Sequence, residues 1–181
     1  MRIKKLNAWL ALITVALLFS HEAYQIIAFV FFYYNPLVTR ILGYSLACAF
    51  ILHGLLSAYC LLVIHDSKSV AYKKMNIKTV LQRISGIAMI LLLPLHICSF
   101  KLLQRSAGSF IFYLILASQV LFYAAINCHV AVSFSNAFIT LGYLENMDKK
   151  VRIDRIVWAI STLLFITTSV VVTSGYIKMF G

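Results

Sequence analysis

Five long apolar runs, separated by short charged segments, organise this chain of 181 residues. They cover about 6–33, 41–64, 80–100, 109–142 and 154–177, each near the ~20 residues that a helix needs to cross a hydrocarbon core. Polar and apolar residues do not alternate along them as they would in the strands of a barrel. Lipid cannot satisfy free backbone N–H and C=O groups, so such runs must be helical. The first and fourth are long enough to tilt or to project beyond a bilayer. The pattern predicts an all-α membrane protein of five transmembrane helices, a single transmembrane domain over 1–181.

Composition points the same way. The chain is 62% hydrophobic and 12% charged, with a mean hydropathy of +0.94, whereas a soluble domain carries about 45–50% apolar and about 25% charged residues. The start, Met1-Arg2-Ile3-Lys4-Lys5, imitates a secretory signal, but the apolar run is too long and no small-x-small site follows, so it reads as a retained helix. Cys48, Cys60, Cys98 and Cys128 all lie in apolar runs and read as buried small hydrophobes. Cys128 precedes His129, but position 125 is alanine, so the C-x-x-C-H motif of a covalently attached haem is missing.

The net charge of +11 lacks the basic stripe with interleaved aromatics that nucleic acid would require. Its distribution orients the helices instead. One side of the membrane holds 12 cations: Arg2, Lys4, Lys5, Lys68, Lys73, Lys74, Lys78, Arg83, Lys149, Lys150, Arg152 and Arg155. The other holds 4: Arg40, Lys101, Arg105 and Lys178. By the positive-inside rule the N-terminus is cytoplasmic and the C-terminus outside, as in a multi-pass protein of a bacterial-type inner membrane. Segments 66–79 and 143–153 then form the cytoplasmic surface on which a partner would dock, and the charges also meet anionic lipid.

An ionisable residue within a span is costly and is a functional hypothesis by default. Spans one to four each contain one such histidine: His21, His53, His96 and His129. Leu6 precedes His21 by 15 positions and Leu81 precedes His96 by 15; the step from His21 to His53 is 32, and from His96 to His129 it is 33. Ser57 and Ser133 each follow the second histidine of a pair by four, one helical turn along the same face, where bulk would collide with a flat cofactor. The two hairpins therefore read as parallel repeats related by an axis along the membrane normal. His21 would meet His96 in one layer and His53 would meet His129 in another. Two layers of opposed imidazoles suit two six-coordinate haems, giving a duplicated-hairpin four-helix bundle around two haems with the fifth helix outside it. His65, beside Asp66, has no counterpart in the repeat and reads as a solvated interfacial residue.

The run Leu81-Gln82-Arg83-Ile84-Ser85-Gly86-Ile87 leading to Pro94-Leu95-His96 resembles a helix of the membrane anchor of succinate:quinone oxidoreductases and fumarate reductases, of the type with one large subunit and two haems b. Ile51-Leu52-His53-Gly54 with Tyr59 is similar to that family's second helix, and His129 with Ser133, Asn136 and the Leu141-Gly142 exit to its fourth. The resemblance implies a flavoprotein subunit and an iron–sulfur subunit on the cytoplasmic face, where succinate and fumarate react. It implies that electrons pass between the iron–sulfur subunit and an inner haem, carried over to His53 and His129, and then an outer haem, carried over to His21 and His96. A quinone, usually menaquinone in the two-haem type, would react near the outer haem. Asn127 stands where some such fumarate reductases carry a glutamate two residues before the fourth ligand, and the loop between spans one and two is short.

Further candidates surround these ligands. Glu22, a carboxylate inside span one, is a candidate for quinone proton transfer, against a plain outer-leaflet carboxylate. Gln25, Arg83 and Ser85 are candidates for binding a haem propionate or quinone, against packing for Gln25 and a positive-inside anchor for Arg83. Arginine forms strong charge-assisted bonds with carboxylates. The tyrosines, Tyr123 and Tyr176 among them, read mostly as interfacial belts. Two other functions remain open from the residues alone: a b-type anchor of another quinone-linked oxidoreductase, and a haem-free transporter or scaffold.

Overall fold

Among the described residues the chain forms five helices: α1 (Arg2–Phe31), α2 (Pro36–Leu62), α3 (Lys73–Arg105), α4 (Phe110–Leu141) and α5 (Met147–Phe180). The structure, a computed structural model, describes the backbone of residues 2–63 and 73–181 and the side chains of 2–63 and 77–181. His65, Asp66 and the rest of the 66–79 segment up to residue 72 lie outside the described residues, as do the side chains of 73–76. All five helices are long and apolar enough to span a membrane.

Four of the helices begin earlier than the apolar runs, α4 being the exception. α3 starts at Lys73 rather than 80, and α5 at Met147 rather than 154, because a helix continues past the hydrocarbon edge for as long as its backbone bonds can form, whatever its side chains. α2 starts at Pro36 rather than 41 for a local reason. The Asn35 side chain accepts from the backbone N–H groups of Leu37 (2.9 Å) and Val38 (3.3 Å), and Pro36 occupies the first helical position, where a missing N–H costs nothing. Tyr24 ties this corner to α1: its hydroxyl donates to the Asn35 carbonyl (3.1 Å) and accepts from the Asn35 N–H (2.7 Å). At the far end of α4, Gly142 takes φ +87, the left-handed conformation that ends helices, and its N–H reaches the Ile139 carbonyl. Asn146 caps α5 through Asp148 N–H at 2.7 Å.

Polarity is inverted relative to a water-soluble bundle. Leu55, Ile84, Ile87, Leu91, Leu121, Leu163 and Val170 are all exposed on the outside, whereas Glu22, Ser85, Ser99, Gln119, Asn127, Ser135, Ser161 and Thr168 are buried inside. An apolar girdle of this extent is stable only against lipid, so the protein is a multi-pass membrane protein. The cysteines contribute to that girdle and not to the core: Cys48 and Cys98 are exposed and Cys60 and Cys128 half-buried. A cysteine facing acyl chains is as dry as one in a core, so apolar flanks alone do not separate the two.

α4 is the central helix and supplies more buried residues than any other. It packs on α3, α1 and α5, and α1 packs on α2 and α5. Among the described residues α2 packs closely against α1 alone. A strict two-fold relation between the hairpins would give α2 and α3 the same close contact as α4 and α1; among the described residues only the α1–α4 contact is close. At the end of the bundle carrying the N-terminus, Lys78 and Lys150 pair with Asp154 at 2.7 and 3.5 Å, and Ser135 bonds to the same carboxylate. That clamp draws α3, α4 and α5 together.

Candidate functional site

The four span histidines fall in two layers. His21 of α1 lies near His96 of α3, and His53 of α2 lies near His129 of α4. Two contacts give the separation of the layers independently. Gly86 of α3 lies under the His129 ring, a Cβ there falling 3.5 Å from Cε1, and His96 is ten residues further along the same helix. Gln119 of α4 bonds to His96, with Oε1 at 3.0 Å from Nδ1, and His129 is ten residues further along that helix. At 1.5 Å rise per residue, both place the layers about 15 Å apart along the bundle.

Ring orientation is controlled in each layer. Gln119 is 1% exposed, and its amide nitrogen donates to Ser118 Oγ at 3.3 Å, so its oxygen faces His96. An amide oxygen only accepts, so Nδ1 of His96 carries the proton and Nε2 keeps its lone pair. The ring is flanked by Phe122, stacked at 4.6 Å, and by the edge of Tyr123 at 6.0 Å. In the other layer, His129 Nδ1 donates to the backbone carbonyl of Gln82 at 3.1 Å. It also lies 3.2 Å from Ser85 Oγ, whose own proton goes to the Leu81 carbonyl at 2.6 Å. The same tautomer results. Such outer hydrogen bonds fix the orientation of ligating histidines and raise their basicity.

Their partners are held differently. His21 Nδ1 and His53 Nδ1 are buried without a hydrogen-bond partner. His53 lies against the Asn7 backbone, and the Asn7 amide donates to Ser57 Oγ at 3.1 Å. Ser57 thus joins α2 to α1, while Ser133 bonds back to the carbonyl of His129. The two serines hold equivalent sequence positions and make different bonds.

Of the other candidates, Ser85 enters the His129 layer, Gln25 is half-buried one turn from His21, and Arg83 is exposed. Arg83 and Ser85 lie two residues apart, roughly 200° around the helix, so they leave it on opposite sides. Glu22 is 5% exposed and its Oε2 has no partner. It is buried inside the bundle, near Tyr123. The sequence reading passed over Gln119 and placed Tyr123 and Tyr176 with the belt tyrosines. Gln119 is a polar side chain inside an apolar run, which was the available signal. Tyr123 and Tyr176 are buried at 6% and 8% exposure and are core residues, not part of an interfacial belt.

Among the described residues no three histidine, cysteine or carboxylate groups converge; the histidines come in twos. A metal ion held by protein alone takes about four ligands, whereas in a haem the porphyrin would supply four nitrogens to the iron and leave at most two ligands to the protein. Two pairs of imidazoles, one ring of each pair (His96 and His129) held through its Nδ1, are a donor set that suits haem. No family model, curated protein or solved structure matches this chain.

Proposed function

We propose that the chain is the two-haem, quinone-reactive membrane anchor of an oxidoreductase of the succinate dehydrogenase and fumarate reductase type. The observation that carries this reading is the pair of histidine layers, with His96 and His129 each held through Nδ1 so that Nε2 is free to ligate iron. His53 and His129 would bind the haem nearer the cytoplasm, and His21 and His96 the outer one, within a duplicated pair of hairpins. Each bound haem b supplies a reversible one-electron centre, with its potential set by axial ligands and the hydrogen bonds behind them.

The protein's own part is orientation and exclusion of water. Gln119 and the Gln82 carbonyl fix two imidazoles, and Phe122 walls the outer one. α4 ties both layers together, keeping their separation at one value. Leu103 and Phe112, both 0% exposed, close the outer end of the α3–α4 hairpin above His96. Arg83, Lys149, Arg152 and Arg155 are exposed near the N-terminal end. With that end cytoplasmic, they offer a basic surface to an iron–sulfur subunit, itself bound to a flavoprotein where succinate or fumarate reacts. Menaquinone, or another quinone, exchanges electrons on the outer side, in the inner membrane of a bacterial-type cell.

Affinity purification of the tagged full-length chain from its native membrane tests the assembly. The expected result is co-purification of a flavoprotein and an iron–sulfur protein, with succinate- or fumarate-linked quinone turnover. Haem-bearing protein with different soluble partners would move it to another quinone-linked oxidoreductase. Protein without haem would overturn the reading in favour of a transporter or scaffold.

A further inference from the structure

The far end of the bundle holds a second set of buried polar groups that the histidine pairs do not use. Four helices contribute to it: Glu22 from α1, Ser99 from α3, Tyr123 from α4 and Tyr176 from α5. They are 5%, 6%, 6% and 8% exposed, respectively. Glu22 Oε2 is buried with no hydrogen-bond partner. Tyr123 lies near both Glu22 and Tyr176, and Ser99 hydrogen-bonds the Tyr176 hydroxyl. Burial of a carboxyl oxygen and two phenols in a lipid-surrounded bundle is expensive unless something polar meets them.

The walls of this set are aromatic. Phe29 meets Tyr176 edge-on at 5.5 Å, Phe180 stacks on Tyr176 at 6.4 Å, and Phe100 meets Phe180 at 5.5 Å. Gly175 makes this closure possible: a Cβ at that position would fall 2.3 Å from the Phe29 ring. The edge of Tyr123 adjoins the His96 ring, so the polar set abuts one histidine layer and is remote from the other. A flat ring with two oxygens on opposite edges, carried on an apolar tail, matches a few hydrogen-bonding groups held among aromatic walls.

We propose that this set is the quinone head-group site and that Tyr176, oriented by Ser99, is its hydrogen-bonding residue from α5. Glu22 faces the same ring from α1. The assignment rests on the proposed function and gives α5, which lies outside the histidine hairpins, a direct part in it. Tyr176 acts by contact with the substrate, and Ser99 acts through Tyr176 as a positioning residue.

The test uses the intact complex with a soluble naphthoquinol analogue, measuring haem content, kcat and KM for Tyr176→Phe and Ser99→Ala. Loss of one hydrogen bond is expected to raise KM about tenfold in Tyr176→Phe, with a smaller rise in Ser99→Ala. Both variants should keep the haem content and kcat of the parent. Tyr143→Phe, at the other end of the bundle against Trp9, should leave KM unchanged. An unchanged KM in both Tyr176→Phe and Ser99→Ala, with haem content intact, would overturn the assignment and leave the haem reading standing. Loss of a haem in Tyr176→Phe would also overturn it by making the residue structural. A parent complex without haem would instead overturn the function on which the assignment rests.

Discussion

Replacing Gln119 with leucine separates the two histidine layers from one another. The side chain is 1% exposed and accepts the Nδ1 proton of His96 at 3.0 Å. Leucine has similar bulk and no acceptor, so packing against α3 is kept while the imidazole N–H is stranded in an apolar site. An orphaned buried donor costs about 1–3 kcal/mol. Loss of an outer-shell hydrogen bond to a ligating histidine typically costs about 10–100-fold in metal affinity, which is about 1.4–2.7 kcal/mol and agrees with the first figure. His129, about 15 Å away along α4, has a separate acceptor in the Gln82 carbonyl. The expected outcome is a variant whose His21–His96 haem is weakened by that factor and shifted in potential, while the His53–His129 haem is unaltered. Haem content during graded haem extraction, together with a spectroscopic redox titration, measures both centres in one sample. Equal weakening of both centres, or of neither, would refute the claim that Gln119 orients one ligand of one layer.

The ligand pairs predict a pattern of losses. His53→Ala or His129→Ala should remove one haem, and His21→Ala or His96→Ala the other; a redox titration in which His21→Ala and His53→Ala lost the same centre would show the pairing to be wrong. Gly86→Ala should be tolerated, because its Cβ would meet His129 Cε1 at an ordinary 3.5 Å and alanine favours the helix by about 1 kcal/mol. Gly86→Leu should push the ring aside and cost the inner haem, as haem counts on the two variants would reveal. Glu22→Gln should slow quinol turnover while both haems remain; turnover equal to the parent's would remove Glu22 from the mechanism.

Much of this architecture is legible in the residues because lipid leaves a chain few choices. Apolar runs of span length must be helices, and four histidines inside such runs are too costly to be incidental. The helix ends were less legible, since hydropathy marks the edge of the hydrocarbon and the backbone continues beyond it. Asn35-Pro36 is a helix-start signal in its own right, yet Arg40 sits five residues later and draws a hydropathy boundary past it. The repeat of spacings is real in the sequence, but among the described residues the α1–α4 contact has no equally close α2–α3 counterpart, because spacing constrains depth and not lateral packing. Gln119 lies 23 residues from His96, and the Glu22, Ser99, Tyr123 and Tyr176 set is drawn from four helices. Such meetings depend on helix rotation, which a uniformly apolar outer surface does not encode. Cys48 and Cys98 show the same limit from the other side, as their apolar neighbours do not say whether they face a core or a bilayer.

Low-temperature electron paramagnetic resonance on the purified intact chain, combined with a haem assay per polypeptide, addresses the central claim most directly. Two low-spin ferric haems per chain, each with nitrogen on both axial faces, are the predicted result. A stoichiometry below two, or a high-spin signal from iron with an open axial position, would contradict it.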